Sequence, residues 1–147
     1  MLAKYYRFHV FNNTDQTIAY DTDGRITISL IPWKLTSGAL VYGAEITGAT
    51  TIVFDAGKSV TAAAAFEGVV LDNSANLYLG LKGTIEVTAD VNSTDGTVVL
   101  YMEESTDNTV WPSDQADYDV EEDLRIVAIL NLSTDAADED RATNFEI

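Results

Sequence analysis

Cysteine is absent from this 147-residue sequence, and histidine occurs only once, at position 9. Without cysteine the chain has no disulfide bonds, no thiolate metal ligands and no cysteine nucleophile. A serine–histidine–carboxylate triad would have to use His9, but the sequence contains no nucleophile-elbow motif. Glycine-rich phosphate loops and paired-cysteine motifs are also missing. These absences predict a protein that is not an enzyme and needs no cofactor, and we expect His9 to lie on the exposed face of a strand.

Basic side chains are scarce as well, since 8 lysines and arginines stand against 24 aspartates and glutamates, for a formal net charge of −16. Nucleic acid and anionic membranes are bound through clustered lysine and arginine, so we expect neither as a partner. No apolar run reaches the length of a membrane span, and the first residues lack the apolar region of a secretory signal. We expect a protein that stays in the cytoplasm where it is made until it joins an assembly.

Alternation of apolar and polar side chains is clearest between residues 76 and 105. Odd positions of residues 77–91 are apolar or glycine, and even positions are mostly polar, so this stretch predicts a strand. Turn-forming residues occupy 92–96, and alternation resumes in 97–103, which predicts a hairpin of two antiparallel strands. The side chains predicted to share one core are Leu77, Leu79, Leu81, Ile85, Val87, Val98, Leu100, Met102, Ile126, Ala128 and Leu130.

Three further segments indicate the fold class. Residues 5–11 alternate with their even side chains apolar, which predicts an N-terminal strand buried on that face. Residues 57–70 combine four alanines with flanking valine and threonine, and we interpret them as strand rather than helix. Residues 124–132 are apolar on both faces, which is typical of a central strand. The whole pattern predicts one all-β domain over residues 1–147, a single-domain antiparallel β-sandwich of the jelly-roll or immunoglobulin-like type.

Clusters of acidic residues suggest two kinds of chemistry. Adjacent pairs such as Glu103 with Glu104 point to opposite faces of a strand, which argues against a paired acid and base. Carboxylates crowd residues 114–123, and calcium prefers oxygen ligands, but the spacing does not complete a twelve-residue calcium loop. We interpret this segment as a solvated acidic loop without a tight calcium site.

Aromatic side chains near turn-forming segments are the candidate binding residues. The side chains predicted to anchor a protein interface are Trp33, Trp111, Pro112, Tyr5 and Tyr78. An alternative is a platform on which sugars stack, formed by Trp33, Trp111, Tyr78 and Tyr101.

Residues 71–79 read Leu-Asp-Asn-Ser-Ala-Asn-Leu-Tyr-Leu, and this stretch resembles one in structural proteins of tailed bacteriophages. In those proteins a small-residue segment like residues 61–66 precedes the Asp-Asn-Ser-x-Asn-Leu-Tyr-Leu run, and a long strand follows it. The next strand ends much as residues 99–103 do. A Ser-x-Asp-x-Thr turn like residues 105–109 and a nearby proline like Pro112 come next.

A final strand similar to residues 125–130 extends the resemblance over about the C-terminal two-thirds of the chain. The resemblance implies a virion β-sandwich without an active site, and members of the family include head-decorating (cement) proteins and tail components. The resemblance implies binding to the major capsid protein or other virion proteins. The capsid exterior is the expected location, because an acidic protein there is kept away from packaged DNA. A homotrimer is expected from the threefold positions of a shell, with monomer or dimer as alternatives. A tail component and a carbohydrate- or receptor-binding β-sandwich module are the alternative functions.

Overall fold

The computed structural model describes residues 1–15, 17–19, 25–48, 59–89, 96–114, 124–132 and 139–147. These residues form twelve strands and one short 3-10 helix, Pro112–Asp114. The strands are β1 (Tyr5–Thr14), β2 (Ile18–Ala19), β3 (Arg25–Thr36), β4 (Ala39–Tyr42), β5 (Ile46–Gly48), β6 (Ser59–Val60), β7 (Ala64–Glu67), β8 (Leu71–Asp72), β9 (Gly80–Ala89), β10 (Gly96–Ser105), β11 (Arg125–Leu132) and β12 (Glu139–Glu146). Within these ranges no helix is long and apolar enough to cross a membrane.

The strands form two five-stranded sheets. The first sheet has the order β11-β10-β1-β7, with β8 also paired to β1, and the second has the order β12-β9-β3-β4, with β5 also paired to β3. Strands β2 and β6 form a separate pair. All of these pairings are antiparallel, and apolar side chains of both sheets join in one buried cluster. The predicted all-β antiparallel sandwich is therefore confirmed.

Strand β1 shows how alternation builds the core. Its even-numbered side chains, among them Tyr6 and Phe8, are buried, as a period of two predicts. The ring centroid of Phe8 lies 6.2 Å from that of Phe145 on β12, so this pair joins the two sheets. The opposite face is covered too, because Arg7 and His9 are both buried. The prediction that His9 is exposed is wrong, since a loop described below forms a further layer over the outer face of the first sheet.

The predicted hairpin of residues 76–105 is wrong, although both of its long strands exist. Strand β9 pairs with β3 and β12 in the second sheet, whereas β10 pairs with β1 and β11 in the first. Their apolar faces therefore meet through the core instead of lying side by side in one sheet. The connecting residues 90–95 lie outside the described ranges. Turn-forming residues permit a chain either to fold back within a sheet or to cross to the other sheet, so local sequence does not decide between them.

Most of the predicted core is confirmed. The predicted side chains that are buried are Leu81, Ile85, Val87, Val98, Leu100, Met102, Ala128 and Leu130. Leu79 is half-buried. Leu77 was wrongly placed in the core, because it precedes β9 with a φ of 50° and is 59% exposed. Ile126 was also wrongly placed there and is 52% exposed.

A bulge in β11 explains the exposure of Ile126. The register between β10 and β11 shifts so that Leu100 faces Ala128 while Tyr101 faces Ile126, which leaves Val127 as an extra residue. One extra residue reverses the alternation, so Ala128 points into the core and Ile126 points outward. Strand β11 lies at the end of the sheet order, so the prediction of a central strand is wrong. The strand interpretation of residues 57–70 is confirmed for its described part, which contains β6 and β7.

Candidate interaction surface

A buried polar network lies on the outer face of the first sheet, centred on Glu103 of β10, whose side chain has no exposed surface. Arg7 Nε donates to Glu103 Oε1, and His9 Nε2 lies 2.6 Å from the same oxygen. The Ser113 hydroxyl donates to Oε1 at 2.9 Å, and the Ser113 backbone N–H donates to Oε2 at 3.1 Å. Burial raises the pKa of Glu103, but the hydrogen bonds with His9, Arg7 and Ser113 outweigh burial and lower the pKa from 4.5 to about 2. The carboxylate is therefore ionised at neutral pH.

Trp111 covers this network. Its ring is buried, and the guanidinium carbon of Arg7 lies 4.4 Å from the ring centroid, within the range of a cation–π contact. Arg7 also forms an ion pair with Glu67 of β7 and donates from Nη2 to the Ser113 hydroxyl at 2.6 Å. The arrangement gathers Arg7, His9 and Ser113 around the one carboxylate of Glu103. Its effect is to attach the segment of Trp111 and Ser113 to the sheet.

The turn that precedes Trp111 is the Ser-x-Asp-x-Thr motif of the sequence. The Ser105 hydroxyl accepts a hydrogen bond from the Asn108 N–H at 3.1 Å, and Asp107 Oδ1 accepts from the N–H groups of Thr109 and Val110 at 2.9 and 3.1 Å. These hydrogen bonds, led by the one from the Thr109 backbone, lower the pKa of Asp107 to about 2. The motif therefore folds the chain so that Trp111 reaches Arg7.

The other motif, residues 71–79, also folds as a turn that uses its polar groups for structure. Asn73 is buried, and its Nδ2 donates to the carbonyl oxygens of Ala3 and Tyr78 at 3.1 and 3.0 Å. Its Oδ1 accepts from the Tyr78 N–H at 2.8 Å. Asp72 accepts from the Ser74 N–H at 2.7 Å, and its hydrogen bonds with Ser74 lower the pKa of Asp72. Asn73 thus holds the N-terminal residues against the segment that enters β9.

Replacing Asn73 by Ala should destabilise the protein by about 1 to 3 kcal/mol, because it leaves part-buried backbone groups of Ala3 and Tyr78 without these hydrogen bonds. The measurement is urea unfolding of the variant beside wild type. Asn76→Ala is the control, since that side chain is exposed in the same turn and should change the free energy by less than about 0.5 kcal/mol. Equal effects of the two substitutions would contradict this account of Asn73.

The second sheet carries an exposed apolar surface where β3 continues past Pro32 and pairs with β4. Four apolar side chains are well exposed there: Leu35 by 55%, Leu40 by 52%, Tyr42 by 50% and Val41 by 39%. Leu35 pairs with Leu40 and Trp33 with Tyr42, so the side chains of these two pairs share one face, on which Lys82 also lies, whereas Val41 and Lys34 lie on the other face. The hairpin surface is defined as Trp33, Leu35, Leu40, Tyr42 and Lys82. Isolated exposed apolar residues are common on proteins, but a contiguous group of them marks an interaction site.

One lysine lies on each face of the hairpin, Lys82 beside the hairpin surface and Lys34 on the opposite face, and each lies over a tyrosine ring. Lys34 Nζ is 5.3 Å from the ring centroid of Tyr78 and donates to the Asn76 carbonyl oxygen at 3.2 Å. Lys82 Nζ is 4.3 Å from the ring centroid of Tyr42. Lys82 alone therefore places a cation beside the hairpin surface, and its register partner on β12 is Glu146.

Acidic residues are missing from both segments that build the hairpin surface. Residues 25–44 contain no aspartate or glutamate, and neither do residues 73–85, although 24 of the 147 residues in the chain are acidic. The structure joins the two segments: the Leu79 N–H donates to the Trp33 carbonyl oxygen at 2.8 Å, and Gly80 adjoins the Trp33 ring, where a Cβ would lie 2.7 Å from a ring carbon. The spacing of acidic residues was the signal in the sequence that could have revealed this surface.

The predicted anchors fall into two groups. Trp33 lies on the hairpin surface, whereas Tyr78 packs against the core on the other face, where its hydroxyl and Pro32 both adjoin Gly43. Trp111 and Pro112 lie at the polar network of the first sheet, and the Trp111 ring is only 5% exposed. Tyr5 is half-buried on β1, opposite Ser105 and Asp72. Tyr101, part of the alternative sugar platform, is buried beside Val99 and Leu124.

The structure describes only part of the acidic clusters that the sequence suggested as sites. Glu103 is buried and Glu104 is exposed, so this pair occupies opposite faces as expected. The acidic segment of residues 114–123, for which no tight calcium site is predicted, lies outside the described residues apart from Asp114. Among the residues that are described, no three histidine or carboxylate side chains are grouped to hold a metal ion.

Comparisons of the chain with protein-family models, curated proteins and solved structures found no match.

Proposed function

We propose that this chain is a non-enzymatic structural protein of a tailed-bacteriophage virion, most simply a capsid decoration protein that binds the outer capsid surface and stabilises the head. The observation that carries the proposal is the hairpin surface, an exposed apolar and aromatic area on a chain of net charge −16. Protein interfaces have an apolar, aromatic core with few charges and a polar rim, and the hairpin surface has this composition.

The rest of the molecule is consistent with a role in assembly. Both motifs that resemble phage structural proteins serve as structural turns, and the buried network of Glu103 attaches a loop to a sheet. An acidic exterior disfavours contact with DNA and favours a place outside the shell. The partners that we propose are the major capsid protein or other virion proteins, together with further copies of the chain, for which threefold positions of a shell favour a trimer.

The test is to prepare particles of the encoding bacteriophage without this protein, add the purified chain back, and heat them. We expect wild type to bind the particles and to raise the temperature at which DNA is released. The hairpin variant Leu35→Ser/Leu40→Ser removes two exposed apolar side chains and should bind at least about tenfold more weakly, as expected for interface anchors.

The matched control is Ile126→Ser/Ile129→Ser, which removes two similarly exposed apolar side chains, 52% and 48%, from β11 of the other sheet. It should bind as wild type does. If wild-type protein neither binds the capsid nor raises the release temperature, the decoration role is excluded and a tail component becomes the working hypothesis.

A saccharide-binding module is the second candidate, and a cleft on the outer face of the second sheet favours it. The cleft has a volume of about 580 Å³ and is bordered by hydroxyl, amide and charged groups that include Ser29, Thr84, Asn144 and Lys82. Hydrogen-bonding groups of this kind can bind sugar hydroxyls. Binding of the purified protein to a glycan array, lost on Asn144→Ala, would favour this function over decoration.

A further inference from the structure

The hairpin of β3 and β4 has an open strand edge, distinct from the side chains of the hairpin surface. Residues 37–38 connect the two strands with φ angles of 52° and 82°, as a two-residue type I′ turn requires. In such a hairpin the pair next to the turn, Thr36 with Ala39, is hydrogen-bonded, and bonded pairs recur at every second position. The Gly43 N–H donates to the Pro32 carbonyl oxygen at 2.8 Å, which agrees with this pattern.

The main-chain groups of β4 that point away from β3 are therefore those of Leu40 and Tyr42. In the described part of the chain β4 pairs with β3 alone. All four residues of β4 are exposed, so the N–H and C=O groups on its outer side face solvent. An exposed strand edge of this kind is a template for pairing with a further strand.

Two other edge strands of the described sheets have features that oppose such pairing. Strand β12 reads Glu-Asp-Arg-Ala-Thr-Asn-Phe-Glu and is rich in charge, and β11 contains a bulge. Proteins commonly protect exposed edges by charge, proline or bulges. Strand β4 reads Ala-Leu-Val-Tyr and pairs with β3 in an unbroken register, so it has none of these features.

A second copy of β4 satisfies this edge, because antiparallel pairing of two identical strands is self-complementary. With Leu40 of one copy opposite Tyr42 of the other, the two residues exchange both N–H···O=C hydrogen bonds, and the twofold axis repeats the exchange. Each copy uses its one β4 edge, so the contact closes and does not grow into a filament. Two chains of net charge −16 repel each other in most orientations, and β4 itself adds no charge to the contact.

We propose that β4 of one copy pairs with β4 of a second copy, antiparallel, with Leu40 opposite Tyr42. The two hairpins then form one ribbon in the order β3-β4-β4-β3, and both hairpin surfaces lie on the same side of it. The inference concerns the edge of the hairpin and does not rest on the capsid role. It gives a dimer and not the trimer that threefold positions favour. Because only four residues of each copy pair, we expect a dissociation constant in roughly the micromolar range or weaker.

The first test compares two substitutions at Leu40 by analytical ultracentrifugation of the whole purified chain over a range of concentrations. Leu40→Pro removes the outward N–H, and an edge strand tolerates proline where the N–H makes no bond within the sheet. Leu40→Thr is the matched control, since it also removes the leucine side chain but keeps the N–H. Wild type should approach twice the 16.0 kDa of one chain. Leu40→Pro should have a dissociation constant at least about tenfold higher than Leu40→Thr, because each dimer loses hydrogen bonds on both sides of the axis.

The second test follows amide hydrogen exchange of wild type by NMR. Exchange of the Leu40 and Tyr42 amides should slow as the concentration rises and the dimer forms. The Leu35 amide points to the opposite edge of the hairpin and should be unaffected. Thermal melting verifies that each variant is folded, and if Leu40→Pro does not fold, the exchange measurement on wild type decides.

The proposal is overturned if wild type stays monomeric up to about millimolar concentration, if its mass is that of three chains, or if the two substitutions at Leu40 weaken association equally. Exchange that does not slow at Leu40 and Tyr42 also overturns it. A monomeric wild type that still binds capsids would exclude this pairing and leave the decoration role intact. A dimer with the expected exchange behaviour, but without capsid binding, would support the pairing and exclude the decoration role.

Discussion

Replacing Leu100 by Ala is expected to lower the free energy of unfolding by about 2 to 5 kcal/mol, since it creates a cavity in the core. Leu100 lies on β10, pairs with both β1 and β11, and has no exposed surface. Its side chain belongs to the cluster that joins the two sheets, so neighbours on several strands lose contacts at once. The measurement is urea denaturation, with an unchanged dependence on denaturant showing that only stability has changed.

The control for Leu100 is Ile129→Ala on β11, which removes a 48% exposed apolar side chain. Its effect should be clearly smaller than that of Leu100→Ala. A loss below about 0.5 kcal/mol for Leu100→Ala, the range of ordinary surface changes, would mean that β10 does not face the core as described.

The second large effect is expected at the ion pair beneath Trp111. Removing one partner of a buried ion pair leaves the other charge uncompensated, which typically costs about 3 to 5 kcal/mol. Glu103→Leu would leave Arg7 with two exposed carboxylates, Glu67 and, at 3.9 Å, Asp114, whose side chains are 51% and 55% exposed. Arg7→Met would leave Glu103 with His9 and Ser113. The double variant Arg7→Met/Glu103→Leu should cost less than the sum of the two single variants, because no buried charge is left without a partner.

Urea unfolding of wild type, the two single variants and the double variant gives the coupling free energy between Arg7 and Glu103. The control is Glu104→Gln at the adjacent exposed residue, which should change the free energy of unfolding by less than about 0.5 kcal/mol. Additive effects of the two single variants would show that the pair is not energetically coupled in the folded protein.

The pKa of Glu103 also predicts how stability depends on pH. Because folding lowers this pKa from 4.5 to about 2, the stabilisation is fully present above about pH 4.5 and is lost as pH falls toward 2. A shift of this size corresponds to about 3 kcal/mol. Glu103→Gln removes the ionisable group, so the difference in unfolding free energy between wild type and Glu103→Gln should shrink over this pH interval. A difference that stays constant with pH would contradict the low pKa of the buried carboxylate.

Alternation in the sequence was a reliable guide wherever one strand face is covered by the core. It placed Phe8, Leu81, Ile85 and Leu100 inward correctly, because a period of two and apolar side chains leave one favourable orientation for a half-buried strand. The same alternation misplaced Ile126, because a single bulge residue, Val127, reverses the face and leaves no mark in composition.

The candidate sites were harder to predict from the sequence. Trp33 and Tyr78 were identified as anchors by residue type, and both are half-buried, Trp33 on the hairpin surface and Tyr78 against the core on the other face. The partners of Glu103 were not identified, because Arg7 and Ser113 are remote from it in the chain and adjoin only after β1 pairs with β10 and the following loop folds back. His9 was expected on the surface for the same reason, since its neighbours on β1 say nothing about a loop that covers it.

By itself the sequence determined the all-β class, the positions of the long strands, the strongly acidic character and the turn-forming motifs, because each of these depends on residues close together in the chain. Tertiary structure alone decided that β9 and β10 lie in different sheets, that β11 is at an edge, and that two acid-free segments join in the hairpin surface. The sequence could not decide these features because a turn-forming segment can lead the chain either to a neighbouring strand of the same sheet or to the other sheet. The choice among those directions comes from burial and hydrogen bonding with strands that are distant in sequence.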